Sequence, residues 1–330
     1  MKKVVTSIIL LSLVFLSLPA VPTATAKPLT NVRVAYFDSA ASFNLLIEIA
    51  RKRGYFQKNG IKIEKVVTNK ATTPLLIGKQ ADVSIGPIAS IMSSYLSNID
   101  TRWLGTTSTY NPTFHAVSKY SKKKISSVKK VGLVTMAGAD RILMDIALEK
   151  LGVDLNSVQY VVAPEEPART AMLETGAIDI AFINLHLNRN RLKKKGFNIY
   201  KPRTLFSGYF TPDGIHSTKY ALEQNPKGIK GFVKGIFLAL RYTKTHPKAT
   251  KAFLKSRWGK KYGITKAVAA NFYAEIIASR KRTTYIPGGD TTRLYNSVKK
   301  ISKPKNPNRD QTDFVFKDYA KLAIKQKGGK

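Results

Sequence analysis

The chain has 330 residues, with 56 Lys and Arg against 20 Asp and Glu, a net charge of +36 and no cysteine. The missing thiols exclude disulfides, thiolate catalysis and zinc–cysteine sites, and leave no lipobox cysteine to acylate. The positive charge comes as scattered lysines and short runs such as Lys122, Lys123 and Lys124. It makes no aromatic-interleaved stripe or recognition helix, so nucleic acid is not an expected partner, whereas anionic envelope polymers, lipids and small anions are.

Lys2 and Lys3 precede an apolar run over residues 4–18, followed by Ala24-Thr25-Ala26. The run is shorter than the ~20 residues that span a bilayer. A basic start, a short apolar stretch and an A-x-A pattern read as a signal peptide, residues 1–26, cut after Ala26. No other segment could cross a membrane. Residues 27–330 suffice for about two domains.

From residue 32 the pattern alternates strand and helix. Val32, Val34 and Tyr36 alternate with polar or small residues, and Phe43, Leu46, Ile47 and Ala50 fall on one helical face that ends at Gly54. Residues 61–67 read as a strand, 72–77 as a short helix closed by Gly78, and 82–85 as a strand. Pro87 opens a helix reaching Leu96, and 102–107 is a strand.

The order then repeats. Residues 131–135 are a strand, 140–151 a helix ending at Gly152, 159–163 a strand, 168–175 a helix closed by Gly176, and 178–183 a strand. Gly54 and Gly78 stand the same interval apart as Gly152 and Gly176. The same shift carries Thr72 onto Thr170 and Leu75 onto Leu173, and brings Asp82 within one residue of Asp179. Two similar α/β lobes with parallel strands follow. From Asn225 the pattern is helical: 229–240 has a strongly apolar face, and 247–257, 265–279 and 291–301 continue it. Residues 304–311 form a polar loop and 325–330 a frayed basic tail.

These elements carry a resemblance. Asp38-Ser39-Ala40-Ala41-Ser42 before the first helix, then Gly54-Tyr55-Phe56, resembles the opening of nitrate/sulfonate/taurine-type (thiamine-precursor-like) substrate-binding proteins of ABC transporters. Residues 148–154, LEKLGVD, and 171–179, AMLETGAID, are similar to that family's second-lobe segments. The resemblance covers residues 32–185. It implies a type II periplasmic-binding-protein fold, two α/β lobes with a hinge and a helical C-terminal part. Lobe 1 would comprise 27–114 and 216–330 and lobe 2 115–215, with crossovers near 113–118 and 207–215. It further implies a monomer outside the cytoplasm that hands a small ligand to a membrane permease, with no cofactor.

In such α/β layers a ligand sits beyond the carboxyl ends of the strands, where helix N-termini present free N–H groups. Candidate contacts are Ser39, Ala41, Ser42, Gly86 and Ser108 on lobe 1, and Thr135, Gly138, Asp140, Asn184 and His186 on lobe 2. Ser39, Ser42 and Asp140 have an alternative role as helix caps, and Gly138 as a tight turn. Tyr36, Phe37 and Phe43 offer rings for stacking or for the core. Charge and helix-end geometry favour a sulfonate- or oxyanion-like anion, against which Asp38 and Asp140 pull.

Catalytic signatures are absent: there is no G-x-x-x-x-G-K-[ST], G-x-S-x-G or H-E-x-x-H, and His115, His186, His216 and His246 lack metal-ligand spacing. Glu165-Glu166 follows a strand, a position that can face the cleft, but an exposed loop pair is the usual case. The rival classes are a ligand-reporting receptor for a membrane sensor and a binding-protein-like biosynthetic enzyme. A related thiamine-pyrimidine synthase uses a cysteine-rich segment that this chain lacks, and related menaquinone-pathway enzymes are cytoplasmic.

Overall fold

The computed structural model describes residues 28–38, 40–68, 71–136, 138–206, 213–280, 288–310, 313–315 and 318–319. The expected signal peptide, Ser39 and the basic tail lie outside them.

The first sheet opens with β1 (Thr30–Phe37), β2 (Ile61–Thr68), β3 (Val83–Pro87) and β4 (Thr101–Ser108). The second is built from β5 (His115–Ser118), β6 (Lys130–Leu133), β7 (Gln159–Val162), β8 (Ile180–Ile183) and β9 (Asn198–Tyr200), after which β10 (Asp213–Thr218) returns to the first. The orders are β2-β1-β3-β10-β4 and β7-β6-β8-β5-β9. Each sheet is one plan: three parallel strands, then a returning strand that pairs antiparallel on both sides. The chain therefore crosses between Ser108 and His115 and again between Tyr200 and Asp213. The first crossing precedes its expected position, because 115–118 is already a strand. Asp213, Gly214 and Ile215, expected in lobe 2, pair in the first sheet.

The helices are α1 (Ala41–Lys52), α2 (Tyr55–Lys58), α3 (Thr73–Ile77), α4 (Ile88–Leu96), α5 (Ala139–Lys150), α6 (Glu166–Thr175) and α7 (His186–Lys194). Then follow α8 (Pro202–Leu205), α9 (Lys219–Gln224), α10 (Pro226–Thr245), α11 (Pro247–Leu254), α12 (Arg257–Lys261), α13 (Ala269–Ser279) and α14 (Gly288–Ser302). Gly54 and Gly176 stop their helices in the left-handed region, at φ 65° and 75°, where a Cβ is unfavourable. Pro87 caps α4 in extended conformation rather than occupying its first turn. In α10 the Asn225 side chain accepts the Gly228 N–H at 3.1 Å, and Pro226 follows at the first helical position. Its face of Ile229, Phe232, Val233, Ile236 and Leu240 is buried against α1 and β1, with Phe232 stacked on Phe56 at 5.5 Å. Each such side chain contributes about 1.5–3 kcal/mol over exposure.

One core fills the α1/α10 face of the first sheet. A second runs from α4 of lobe 1 through α14 to α5 of lobe 2, joining the lobes through Ile88, Met92, Leu294 and Ile142. A third, smaller core lies on the other face of the second sheet, around Leu173 and Ile183.

Candidate functional site

The carboxyl ends of β1 and β3 in one lobe face the segments after β6 and β8 in the other. Between them lies a cavity of about 90 Å³. Phe37, Ala40, Phe43, Ile85 and Pro87 give it apolar walls from lobe 1, with Thr72, Thr73 and Ser90 beside them. The first crossover adds Asn111, Thr113 and Phe114, and lobe 2 adds Val134 and Ala139. Two further cavities, of about 200 and 540 Å³, share Val134 with it and extend the cleft.

Of the candidate contacts, Gly86, Thr135, Gly138, Asp140 and Asn184 line this cavity. Gly138 sits at φ 117°, a backbone open to glycine, and starts α5. Asp140 turns its carboxylate back to accept the Val134 N–H at 2.7 Å, tying the residue after β6 to the first turn of α5. Its burial pushes the pKa up, against the field of Arg169. The Asn184 N–H is held by Glu166 at 2.8 Å, while its side-chain Oδ1 is buried without a partner. Glu166 is thus no exposed loop acid: it is buried and also accepts from Leu185 N at 2.9 Å and Asn188 Nδ2 at 2.9 Å.

Ala41, Ser42, Ser108 and His186 are not among the residues that line the cavity. Ala41 begins α1 and is buried. Ser42 is buried beside Arg280, whose Nη2 donates to its carbonyl at 3.4 Å. The Ser108 hydroxyl donates to Asp213 Oδ2 at 2.9 Å. His186, expected at a strand end, opens α7, and its ring lies edge-on to Phe272 at 6.4 Å. Asp38 does not oppose an anion as expected, because Lys261 pairs with it at 2.5 Å.

Among the described residues no Lys or Arg lines the cavity. Positive potential there comes from the N-termini of α1, α4 and α5, which start beside Ala40, Pro87 and Gly138. Ser90 joins the lobes directly, its Oγ accepting the Ala139 N–H at 3.1 Å. His216, from β10, is buried with both ring nitrogens unpartnered. Burial pushes its pKa down to about 3, so at neutral pH it offers one donor and one acceptor. Such unmatched groups gain most from a ligand that completes their hydrogen bonds. Among the described residues no cluster of His, Asp or Glu could hold a metal.

Sequence reasoning missed Ser90, Asn111, Thr113, Phe114 and His216. Asn111-Pro112 carried a turn signal, and Asn111 Oδ1 does accept the Thr113 N–H at 2.9 Å. His216 had no local signal, because β10 reaches the cavity only through tertiary pairing.

Two α/β lobes of one strand order, crossed twice by the chain and holding a cavity between strand ends, define the periplasmic-binding-protein fold. Residues 45–250, more than half of the chain, match the family described as NMT1/THI5 like, and the chain belongs to that family. No curated protein sequence matches it. Solved structures share the fold at low identity. A Candida albicans gene product with the generic periplasmic binding protein fold is similar in shape: TM-score 0.67 at 15% identity, over 87% of this chain and 96% of that one. The periplasmic aliphatic sulphonate binding protein SsuA of Escherichia coli gives TM-score 0.61 at 16% identity, over 85% and 95%. The periplasmic nitrate-binding protein NrtA of Synechocystis PCC 6803 gives 0.58 at 13%, over 90% and 89%.

Proposed function

We propose that the chain is the extracytoplasmic solute-binding component of an ABC transporter, closing two lobes around one small molecule and delivering it to a permease. The observation that carries this reading is the inter-lobe cavity, whose polar groups converge from both lobes and from the first crossover. Lobe 1 is assigned 27–114 and 213–330, lobe 2 115–212, and residues 1–26 the export signal. The protein acts as a monomer without a cofactor. Closure stabilises contacts that only the closed state offers, so ligand shifts a population between open and closed forms.

The ligand favoured is a small anion with an apolar body, of the sulfonate or oxyanion type. Its body lies against Phe37, Phe43 and Ile85, and its charged head meets the helix ends at Ala40, Pro87 and Gly138. The sulfonate- and nitrate-binding structural neighbours support this class. A thermal-shift panel tests it, pairing short alkanesulfonates with uncharged analogues of the same body. A ligand at 100 times its Kd should add about 2.7 kcal/mol of stability. Asn184→Ala should weaken the shift without moving the ligand-free melting point. Shifts from the uncharged partners alone would remove the anion, and none from any compound would count against the cleft as a small-molecule site.

A further inference from the structure

Lysines that look scattered along the sequence come together on α10. Between Glu223 and Glu275 the chain carries twelve Lys and Arg residues and no carboxylate. Lys227, Lys230, Lys234, Arg241 and Lys244 recur at helical spacing on one stripe of α10, and Lys248 follows, exposed, in the first turn of α11. The stripe follows a 20-residue helix, about 30 Å long. It is opposite the buried face that packs on α1, and all six residues are exposed except the half-buried Lys234. Among the described residues no ion pair joins Lys227, Lys230, Lys234 or Lys248 to a carboxylate. Rings sit among these charges: Lys52 lies over Phe253 at 4.7 Å, Arg53 over Tyr242 at 4.9 Å, and Trp258 stacks on Phe253 at 4.9 Å. Tyr242, Phe253 and Trp258 are half-buried.

We propose that this face of α10–α12 docks the protein on an anionic phospholipid surface. A row of cations is drawn to anionic headgroups, with each lysine near the surface adding to the attraction. The half-exposed Tyr242 ring suits the headgroup boundary, where one edge is apolar and the other wet, whereas the Trp258 indole N–H is turned inward and buried. A hydrophilic polyanion would engage the lysines but leave the Tyr242 ring without a role. No residue of α10, α11 or α12 lines the central cavity, and of these helices only Lys261 of α12 borders an adjoining one, so docking leaves the central cavity free and the proposal does not depend on what it binds.

The chain from Lys27 onward, which includes every described residue, is sedimented with vesicles of phosphatidylcholine alone or mixed with phosphatidylglycerol. Binding should require phosphatidylglycerol and weaken with salt. A variant carrying Lys227→Gln, Lys230→Gln, Lys234→Gln and Lys248→Gln should bind about tenfold more weakly or worse. Glutamine keeps helix propensity, and an unchanged melting point confirms the fold. A variant with the same loss of charge on lobe 2, Lys122→Gln, Lys123→Gln, Lys124→Gln and Lys193→Gln, should change binding by less than about twofold. Equal losses in the two variants would reduce the effect to net charge and overturn the assignment. So would equal binding to both kinds of vesicle, or binding to soluble polyphosphate with none to vesicles.

Discussion

The two lobes solve one problem twice, from opposite ends of the chain. In lobe 1 the Asp82 carboxylate accepts the Arg33 N–H of β1 at 2.8 Å. In lobe 2 the Asp179 carboxylate accepts the Lys130 N–H of β6 at 2.9 Å. The carbonyls of the same two residues accept Ser217 Oγ of β10 at 2.7 Å and Ser118 Oγ of β5 at 2.8 Å. One acid before the third strand therefore ties the first strand to the returning strand in each lobe. The lobes part at the start of that returning strand. In lobe 1 it is Asp213, buried with Ser108 and near Arg280. In lobe 2 it is His115, buried with Nε2 3.6 Å from Glu275. The shared element of the plan is the backbone lock, while the buried titratable group at the start of the returning strand is an acid in one lobe and a base in the other.

That difference gives the largest expected effect, a pH dependence of opposite sign in the two lobes. Burial pushes the Asp213 pKa up to about 8, opposed by the Ser108 hydroxyl and Arg280, against ~3.9 unfolded. The folded state then holds a proton the unfolded chain has released, so stability falls as pH rises from about 4 to 8, by up to roughly 1.4 kcal/mol per unit. His115 is lowered, chiefly by burial, so its contribution is lost as pH falls below about 6.5. Melting points measured across pH should flatten on the alkaline side in Asp213→Asn and on the acid side in His115→Gln. A curve unmoved by either variant would dissolve the contrast.

Next in size is Gly214→Ala in β10. A Cβ there would strike the Gly105 carbonyl and come within 2.5 Å of the Trp103 ring, so denaturant titration should show a loss of about 3 kcal/mol. The equivalence of the locks predicts that Asp82→Ala and Asp179→Ala each cost about 2 kcal/mol, by orphaning a strand N–H. A tolerated change in one lobe alone would show that its lock is ornamental. The smallest effect is about 1 kcal/mol each for Ser217→Ala and Ser118→Ala, read as paired chemical melts.

Much of the architecture was legible because its elements are locally encoded. Gly54 and Gly176 mark helix ends that need left-handed backbone, and the apolar face of α10 follows directly from its spacing. The returning strands were not legible. β10 is DGIHST, buried at every position yet rich in polar residues, and only partners such as Ser108 and the Asp82 carbonyl make that burial tolerable. The site divides the same way. Gly86 near the end of β3, and Gly138 and Asn184 after the ends of β6 and β8, reach the cavity by backbone position. Ser42 stands at a helix start too, but its surroundings are set by Arg280, far along the chain, and it faces the core. Helix-end chemistry indicates where a cleft forms; which side chains turn into it depends on partners the local sequence does not contain.

The place of β10 has a consequence for the order of assembly during synthesis. It lies inside the first sheet, between β3 and β4, yet the ribosome makes it only after every strand of the second sheet. The lobe that begins first is thus the last able to complete its hydrogen bonding. Until residue 218 emerges, β3 and β4 have no strand between them, while residues 115–200 already contain a whole sheet. Nascent chains halted so that Tyr200, but not residue 218, has left the ribosome should therefore protect the second lobe from proteolysis before the first.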